Sequence, residues 1–141
     1  MPELAKKRPE FRNINAFTDL TTYRLPAAGW VSILHRVSGF GMFLMLPFII
    51  WMFDMSVTSE ISFAKFTYYF RTGALGIFLK LVAVGLIWAY LHHFIAGVRH
   101  LWMDLNHHAV EKATGKNTAL ATLVLSLVLA FLLALKVFGV Y

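Results

Sequence analysis

The chain has 141 residues, of which 59% are hydrophobic and 14% are charged, and its formal net charge is +6. Soluble domains carry about 25% charged residues, so this composition excludes an ordinary soluble fold and indicates a membrane protein. The absence of cysteine excludes disulfides, thiolate catalysis and cysteine-ligated iron–sulfur clusters within the chain. The basic residues stand mostly at the ends of apolar runs, which favours a membrane topology and excludes nucleic acid as a partner.

The first predicted element is a polar N-terminal segment, residues 1–29. It lacks the apolar core and the small residues of a cleavable signal peptide, so we expect it to be retained on the membrane surface. A transmembrane domain of residues 30–141 follows. The chain is short, which leaves little room for a catalytic site of its own.

The first transmembrane helix is predicted over about residues 30–53. Its centre is an uncharged run from Val37 to Phe53, and Pro47 inside it is expected to cause a kink that a membrane helix tolerates. Residues 54–71 contain several charged, Ser and Thr residues. We expect them to form a loop that touches the membrane interface through aromatic side chains.

Two further spans follow. An uncharged run over residues 81–98 is long enough to cross the hydrocarbon core and predicts a helix over about 74–103. The polar stretch 104–116 predicts a loop in which Gly115 is a natural break. The third helix is predicted over about 118–139, which gives an all-α membrane protein of three transmembrane helices.

Lys and Arg predict the orientation of the chain. They are more numerous in the N-terminal segment and around the second loop than in the first loop, so the N-terminus should be cytoplasmic. Five polar side chains then share the cytoplasmic half of the membrane. These are Ser32, His35, Arg36, Arg99 and His100.

A first polar cluster lies near the start of the first helix. Ser32, His35 and Arg36 project from one side of it because they are three and four residues apart. An arginine at the centre of a membrane helix costs roughly 2.5–3.5 kcal/mol, so a bound anion or polar ligand is expected here. The alternative is that Arg36 reaches the lipid headgroups while Ser32 bonds back to a helix carbonyl.

Two rows of residues run side by side along the second helix. One comprises His93, Gly97 and His100, and the other comprises His92, Ala96 and Arg99. Neutral imidazole is a common axial ligand of haem iron, and a glycine one turn away leaves space for a flat macrocycle. Spacing alone does not choose between His92 and His93, and interhelical hydrogen bonding is the alternative for both.

The sequence predicts that any haem is shared with another chain. The third helix has no histidine and His35 is too near the membrane surface to lie opposite His93, so a second axial ligand should come from another subunit. Cations at the cytoplasmic end would pair with the haem propionates. The candidates are His35, Arg36 and either Arg99 or His100.

Four stretches resemble the family of cytochrome b556 membrane-anchor subunits of bacterial succinate dehydrogenase. They are RPEFRN, YRLP, SILHRVSG and HFIAGVRHLWMD, and the resemblance extends from Arg8 to Asp104. It implies a subunit of the bacterial inner membrane that is not catalytic alone. It also implies one haem b, ubiquinone as substrate, and three partners: a second small membrane-anchor subunit, an iron–sulfur subunit and a flavoprotein subunit.

The same resemblance implies a role for each residue of the two central motifs. His93 corresponds to the axial ligand of the haem iron. Ser32 and Arg36 correspond to residues of the ubiquinone site, and His35 with Arg36 lies near the haem propionates. Two alternatives stay open: the anchor of a fumarate reductase, and a purely structural small membrane protein without haem.

Overall fold

The computed structural model describes Asn15, residues 17–71 and residues 73–140, and every regular element in these ranges is a helix. The elements are α1 (Asp19–Thr22), α2 (Ala27–Leu44), α3 (Leu46–Val57), α4 (Glu60–Arg71), α5 (Gly73–Leu105), a 3-10 helix (His107–Val110) and α6 (Lys112–Val137). Most of the predicted N-terminal segment, residues 1–14, lies outside the described residues.

The first predicted span is a pair of helices, α2 and α3, that meet at an angle of 60°. Pro47 stands in the first turn of α3 and has no N–H to continue the hydrogen bonding of α2. The helical pattern restarts where the Ile49 N–H donates to the carbonyl oxygen of Met45 at 2.9 Å. The kink expected from the proline is therefore a sharp bend between two helices.

The stretch expected to be an interfacial loop is helical, and the prediction of a loop over residues 54–71 was wrong. Helix α3 continues to Val57, and α4 occupies Glu60–Arg71. Two serines cap α4 reciprocally: the Ser62 N–H donates to Ser59 Oγ at 3.1 Å, and the Ser59 N–H donates to Ser62 Oγ at 2.9 Å. These bonds satisfy donors that the first turn of a helix leaves unpaired.

Helix α5 has 33 residues, close to the expected range of 74–103, and is about 50 Å long at 1.5 Å per residue. It begins at Gly73, whose φ of +52° lies in the left-handed region that glycine adopts readily. A Cβ on Gly76 would lie 2.8 Å from the carbonyl oxygen of Phe70. Glycine thus allows the end of α4 to pack closely against the start of α5.

Helix α6 begins at Lys112, six residues before the expected start at residue 118. Gly115 was expected to lie in a loop and interrupt the helical pattern, but it is buried within α6, so that prediction was wrong. The carbonyl oxygen of Gly115 accepts hydrogen bonds from the Arg99 and Thr118 side chains, which anchors this first turn. The polar stretch is therefore helical from Lys112 onward and contacts α5 through Arg99.

The interior of the bundle is small and polar, while large apolar side chains face outward. Val31, Ala96 and Ala119 form the buried apolar cluster where α2, α5 and α6 meet. Small residues let helix backbones approach closely in membranes, and exposed Leu, Phe and Val are compatible with lipid. Helices α5 and α6 are long and apolar enough to span a membrane, and the bent pair α2–α3 gives a third span if counted as one.

Candidate functional site

His93 projects from α5 against α2, where its ring is held by the backbone. Its Nδ1 lies 2.9 Å from the carbonyl oxygen of His35 and 3.4 Å from Ser38 Oγ. A carbonyl oxygen can only accept, so Nδ1 carries the proton and donates it. The other ring nitrogen of neutral His93, Nε2, then has a free lone pair.

The surroundings of His93 leave that Nε2 available. His93 Nε2 has no hydrogen-bond partner among the described residues. It is also not fully buried. A histidine that donates Nδ1–H to a backbone carbonyl is a common arrangement around metal-bound imidazole, because the bond fixes the ring orientation and raises its basicity. Nε2 is therefore the His93 ring nitrogen that could ligate a metal.

Three imidazoles gather where the first turns of α2 meet the last turns of α5. The His35 ring stacks on the His93 ring with centroids 4.1 Å apart, and the His100 ring lies 5.2 Å from that of His35. Within the described residues there is no group of three or more His, Cys, Asp or Glu side chains that could hold a metal ion by itself. The cluster thus fits one axial ligand with polar neighbours better than a metal site made by this chain alone.

Gly97 was expected to leave open space for a flat macrocycle, but the structure places the His35 ring beside it. A Cβ built on it would lie 3.6 Å from His35 Nε2, an ordinary van der Waals distance. His35 is therefore the neighbour of Gly97 on this side of α5. The glycine with a close approach to His93 is Gly39 of α2, and its signal in the sequence was its position next to Ser38 in the SILHRVSG motif.

His92 lies in the core of the bundle and is fully buried. Its Nδ1 is 3.3 Å from Ser126 Oγ, and that hydroxyl donates its own proton to the carbonyl oxygen of Leu123, so Ser126 accepts from His92. Trp88 stacks on the His92 ring from one turn before it. His92 therefore joins α5 to α6 and has no exposed edge from which to reach a cofactor.

Arg99 shares the buried row with His92 and is 6% exposed. Its Nε donates to Thr118 Oγ1 at 3.1 Å, and its Nη2 donates to the carbonyl oxygen of Gly115 at 3.1 Å. The guanidinium is thus engaged by the first turns of α6. Of the two extra cations considered for a propionate, His100 lies beside His35 and Arg99 does not.

Ser32 and Arg36 lie one turn apart on α2 at the same end of the bundle. Ser32 is half-buried and Arg36 is exposed. Neither side chain forms a hydrogen bond or an ion pair with another described residue. A hydrogen bond from Ser32 to a carbonyl of its own helix was the alternative, and in the structure Ser38 makes such a bond, to the His35 carbonyl oxygen. A hydroxyl and a guanidinium are therefore both available to an external polar ligand.

Comparisons with known proteins agree with this architecture. The chain matches the family described as succinate dehydrogenase/fumarate reductase transmembrane subunit over residues 6–133. A succinate dehydrogenase cytochrome b556 subunit of Paracoccus denitrificans is 34% identical over 86% of this chain and 89% of its own length. A protein of the same name from Coxiella burnetii is 34% identical over 62% of this chain and 67% of its own length. Another, from Rickettsia felis, is 27% identical over 93% of this chain and 94% of its own length. This chain therefore belongs to the family of succinate dehydrogenase/fumarate reductase transmembrane subunits.

Proposed function

We propose that this chain is the haem b-binding membrane anchor of a succinate:quinone oxidoreductase, with His93 as one axial ligand of the haem iron. The observation that carries the proposal is the hydrogen bond from His93 Nδ1 to the His35 carbonyl oxygen, which leaves Nε2 free beside polar neighbours. Relatives named cytochrome b556 subunits support a b-type haem. The second axial ligand belongs to a second small anchor subunit.

Haem, when bound, supplies a one-electron store whose potential depends on its ligands and on nearby charge. The residues of this chain orient it and balance its charge. His93 binds through Nε2, while His35 and Arg36 supply donors to the anionic propionates. Arg36 is suited to this role because its guanidinium is exposed and has no ion pair within the described chain.

The quinone site uses the hydroxyl of Ser32 and the guanidinium of Arg36. Reduction of a quinone places negative charge on its oxygens, and preorganised donors directed at those oxygens stabilise the charge. Both side chains lie on the α2 turns that also hold His93, so the quinone and haem sites are neighbours. Electrons reach this region from an iron–sulfur subunit, protons come from the cytoplasmic side, and succinate is oxidised in a flavoprotein subunit.

The proposed setting is the bacterial inner membrane with the N-terminus in the cytoplasm. Ser32, His35 and Arg36 lie early in α2, and His100 lies late in α5, so all four occupy one end of the bundle. That end faces the cytoplasm and the two soluble subunits. The bent pair α2–α3, α5 and α6 are the three spans in this arrangement.

The proposal is tested by purifying the complex in mild detergent, identifying the subunits that accompany the chain, and assaying haem as its pyridine haemochrome. We expect a flavoprotein, an iron–sulfur protein, a second small membrane protein and a b-type spectrum. Isolation of the chain without haem and without these subunits would leave the purely structural membrane protein as the answer. Fumarate reduction faster than succinate oxidation by the same complex would favour the reductase anchor.

A further inference from the structure

Gly39 makes the closest approach to His93 of any described glycine. A Cβ on Gly39 would lie 2.7 Å from His93 Cε1 and 3.1 Å from His93 Nδ1. Cβ atoms in proteins essentially never come within 3.0 Å of another heavy atom, so a side chain of any size at this position would displace the ring. The space occupied by the imidazole exists because residue 39 lacks a Cβ.

The His93 ring cannot move away easily. One face is stacked on His35, and its Nδ1–H is bonded to the His35 carbonyl oxygen at 2.9 Å. A shift of the ring away from residue 39 would stretch this bond and the 3.4 Å contact with Ser38 Oγ. The ring is therefore held from α2 on several sides, and Gly39 sets how close it lies to that helix.

We infer that Gly39 is a positioning residue for the axial ligand: the absence of a side chain there seats the His93 ring against α2 and directs Nε2 toward the iron. This inference rests on the proposed function, because it requires His93 to be the ligand. Groups that orient a metal ligand from outside the coordination shell typically contribute roughly 10- to 100-fold in metal affinity. Gly39 acts in the same way through steric contact.

The chain provides a matched control in Gly41. It lies in α2 two residues from Gly39, and a Cβ built on it meets no atom within 4 Å. Gly39→Ala and Gly41→Ala thus change the helix propensity of α2 equally, and they differ in the contact with His93. A difference between the two variants reports that contact.

The test measures haem content, the low-spin signal in electron paramagnetic resonance and the midpoint potential in the purified complex. We expect Gly39→Ala to lower haem retention roughly tenfold, or to shift the low-spin signal and the potential, while Gly41→Ala matches the wild-type protein. A Gly39→Ala complex with wild-type haem retention, signal and potential would overturn the inference. So would an equal change in both variants.

Two further variants keep the test decisive. If Gly39→Ala fails to assemble, the double variant with His93→Ala should assemble as well as His93→Ala alone, because the ring that clashes is gone. Failure of the double variant to assemble would overturn the inference. His93→Ala also separates the two proposals: a low-spin signal that survives His93→Ala refutes the axial ligand itself. If His93→Ala loses the low-spin signal but Gly39→Ala keeps the haem retention, signal and potential of the wild-type protein, only the role of Gly39 is refuted.

Discussion

The two adjacent histidines of α5 have different surroundings because they face different helices. His92 is buried against α6 through Ser126, whereas His93 is bonded to the backbone of α2. Neighbouring residues on a helix are rotated by about 100°, which is enough to place one ring in the core and the other at its edge. The spectrum of the proposed haem should therefore depend on His93.

We predict that His93→Tyr abolishes or changes the low-spin b spectrum and that His92→Ala retains it in the complex that assembles. His92→Ala should lower the yield of complex, because it removes a buried ring and its contact with Ser126. Reduced-minus-oxidised spectra normalised to protein measure both effects. The opposite pattern, with the spectrum lost in His92→Ala and kept in His93→Ala, would show that His92 is the ligand.

Arg36 is predicted to act on quinone and not on succinate. Arg36→Leu should slow ubiquinone reduction at least tenfold, a loss of about 1.4 kcal/mol or more in transition-state stabilisation, because it removes the cation that we propose for the quinone oxygens. Arg36→Lys should recover part of the rate, since an ammonium lacks the planar fork of the guanidinium. Succinate oxidation with a soluble artificial acceptor is the control and should stay unchanged. Unchanged quinone turnover in both variants would place the quinone site elsewhere.

At the scale of the elements, Arg99 joins α5 to the start of α6. The side chain is buried, and its guanidinium donates to Thr118 Oγ1 and to the Gly115 carbonyl oxygen, so the first turns of α6 satisfy N–H donors that Arg99 carries into the core. A lost buried hydrogen bond costs about 1–3 kcal/mol when a partner is left unpaired. Arg99 is thus part of the structure that holds the bundle together.

We predict that Arg99→Leu lowers the thermal stability of the purified complex by about 1–3 kcal/mol. Lys116→Ala, in the same first turns of α6 but exposed, is the control and should have little effect. The stability of both variants is measured from the loss of the haem spectrum on heating. Equal stability of Arg99→Leu and the wild-type protein would mean that the contact with α6 contributes nothing measurable.

The bend between α2 and α3 divides the predicted first span into two parts. The α2 part carries Ser32, His35, Arg36 and Gly39, and the α3 part is mostly apolar and packs on α4. Because Pro47 interrupts the hydrogen bonds at the junction, α3 can turn by 60° without altering the turns of α2 that carry the site. The turns of α2 that carry the candidate site contact α5, and the bend into α3 comes after them.

At the scale of the whole molecule, the polar cluster lies at one end of the bundle, and the excess of Lys and Arg predicts that this end is cytoplasmic. A reporter enzyme that works only outside the cytoplasm should be active when fused after Tyr141. The same reporter inserted within residues 106–116 should be inactive. Activity from the inserted fusion and none from the C-terminal fusion would reverse the proposed orientation.

The sequence alone determined the membrane class and the family. Uncharged runs identify spans because the cost of placing charge in lipid depends on each residue and its depth, with little influence from tertiary contacts. The family predicted from SILHRVSG and HFIAGVRHLWMD is confirmed by the match over residues 6–133. The sequence did not predict α4, because uncharged runs carry no information about local hydrogen bonds. The two serines that cap this helix are residues that also favour loops.

Only the tertiary structure decided how α5 is rotated about its axis. Its two rows, which begin at His92 and His93, have nearly the same polarity, so composition and spacing give neither row a preference for the core. Ala96, packed with Val31 and Ala119, turns the His92 row inward because the small side chain lets α2 and α6 approach closely. The close approach of Gly39 to His93 and the bond from Arg99 to Gly115 both accompany that rotation, since each is a contact between residues distant in sequence.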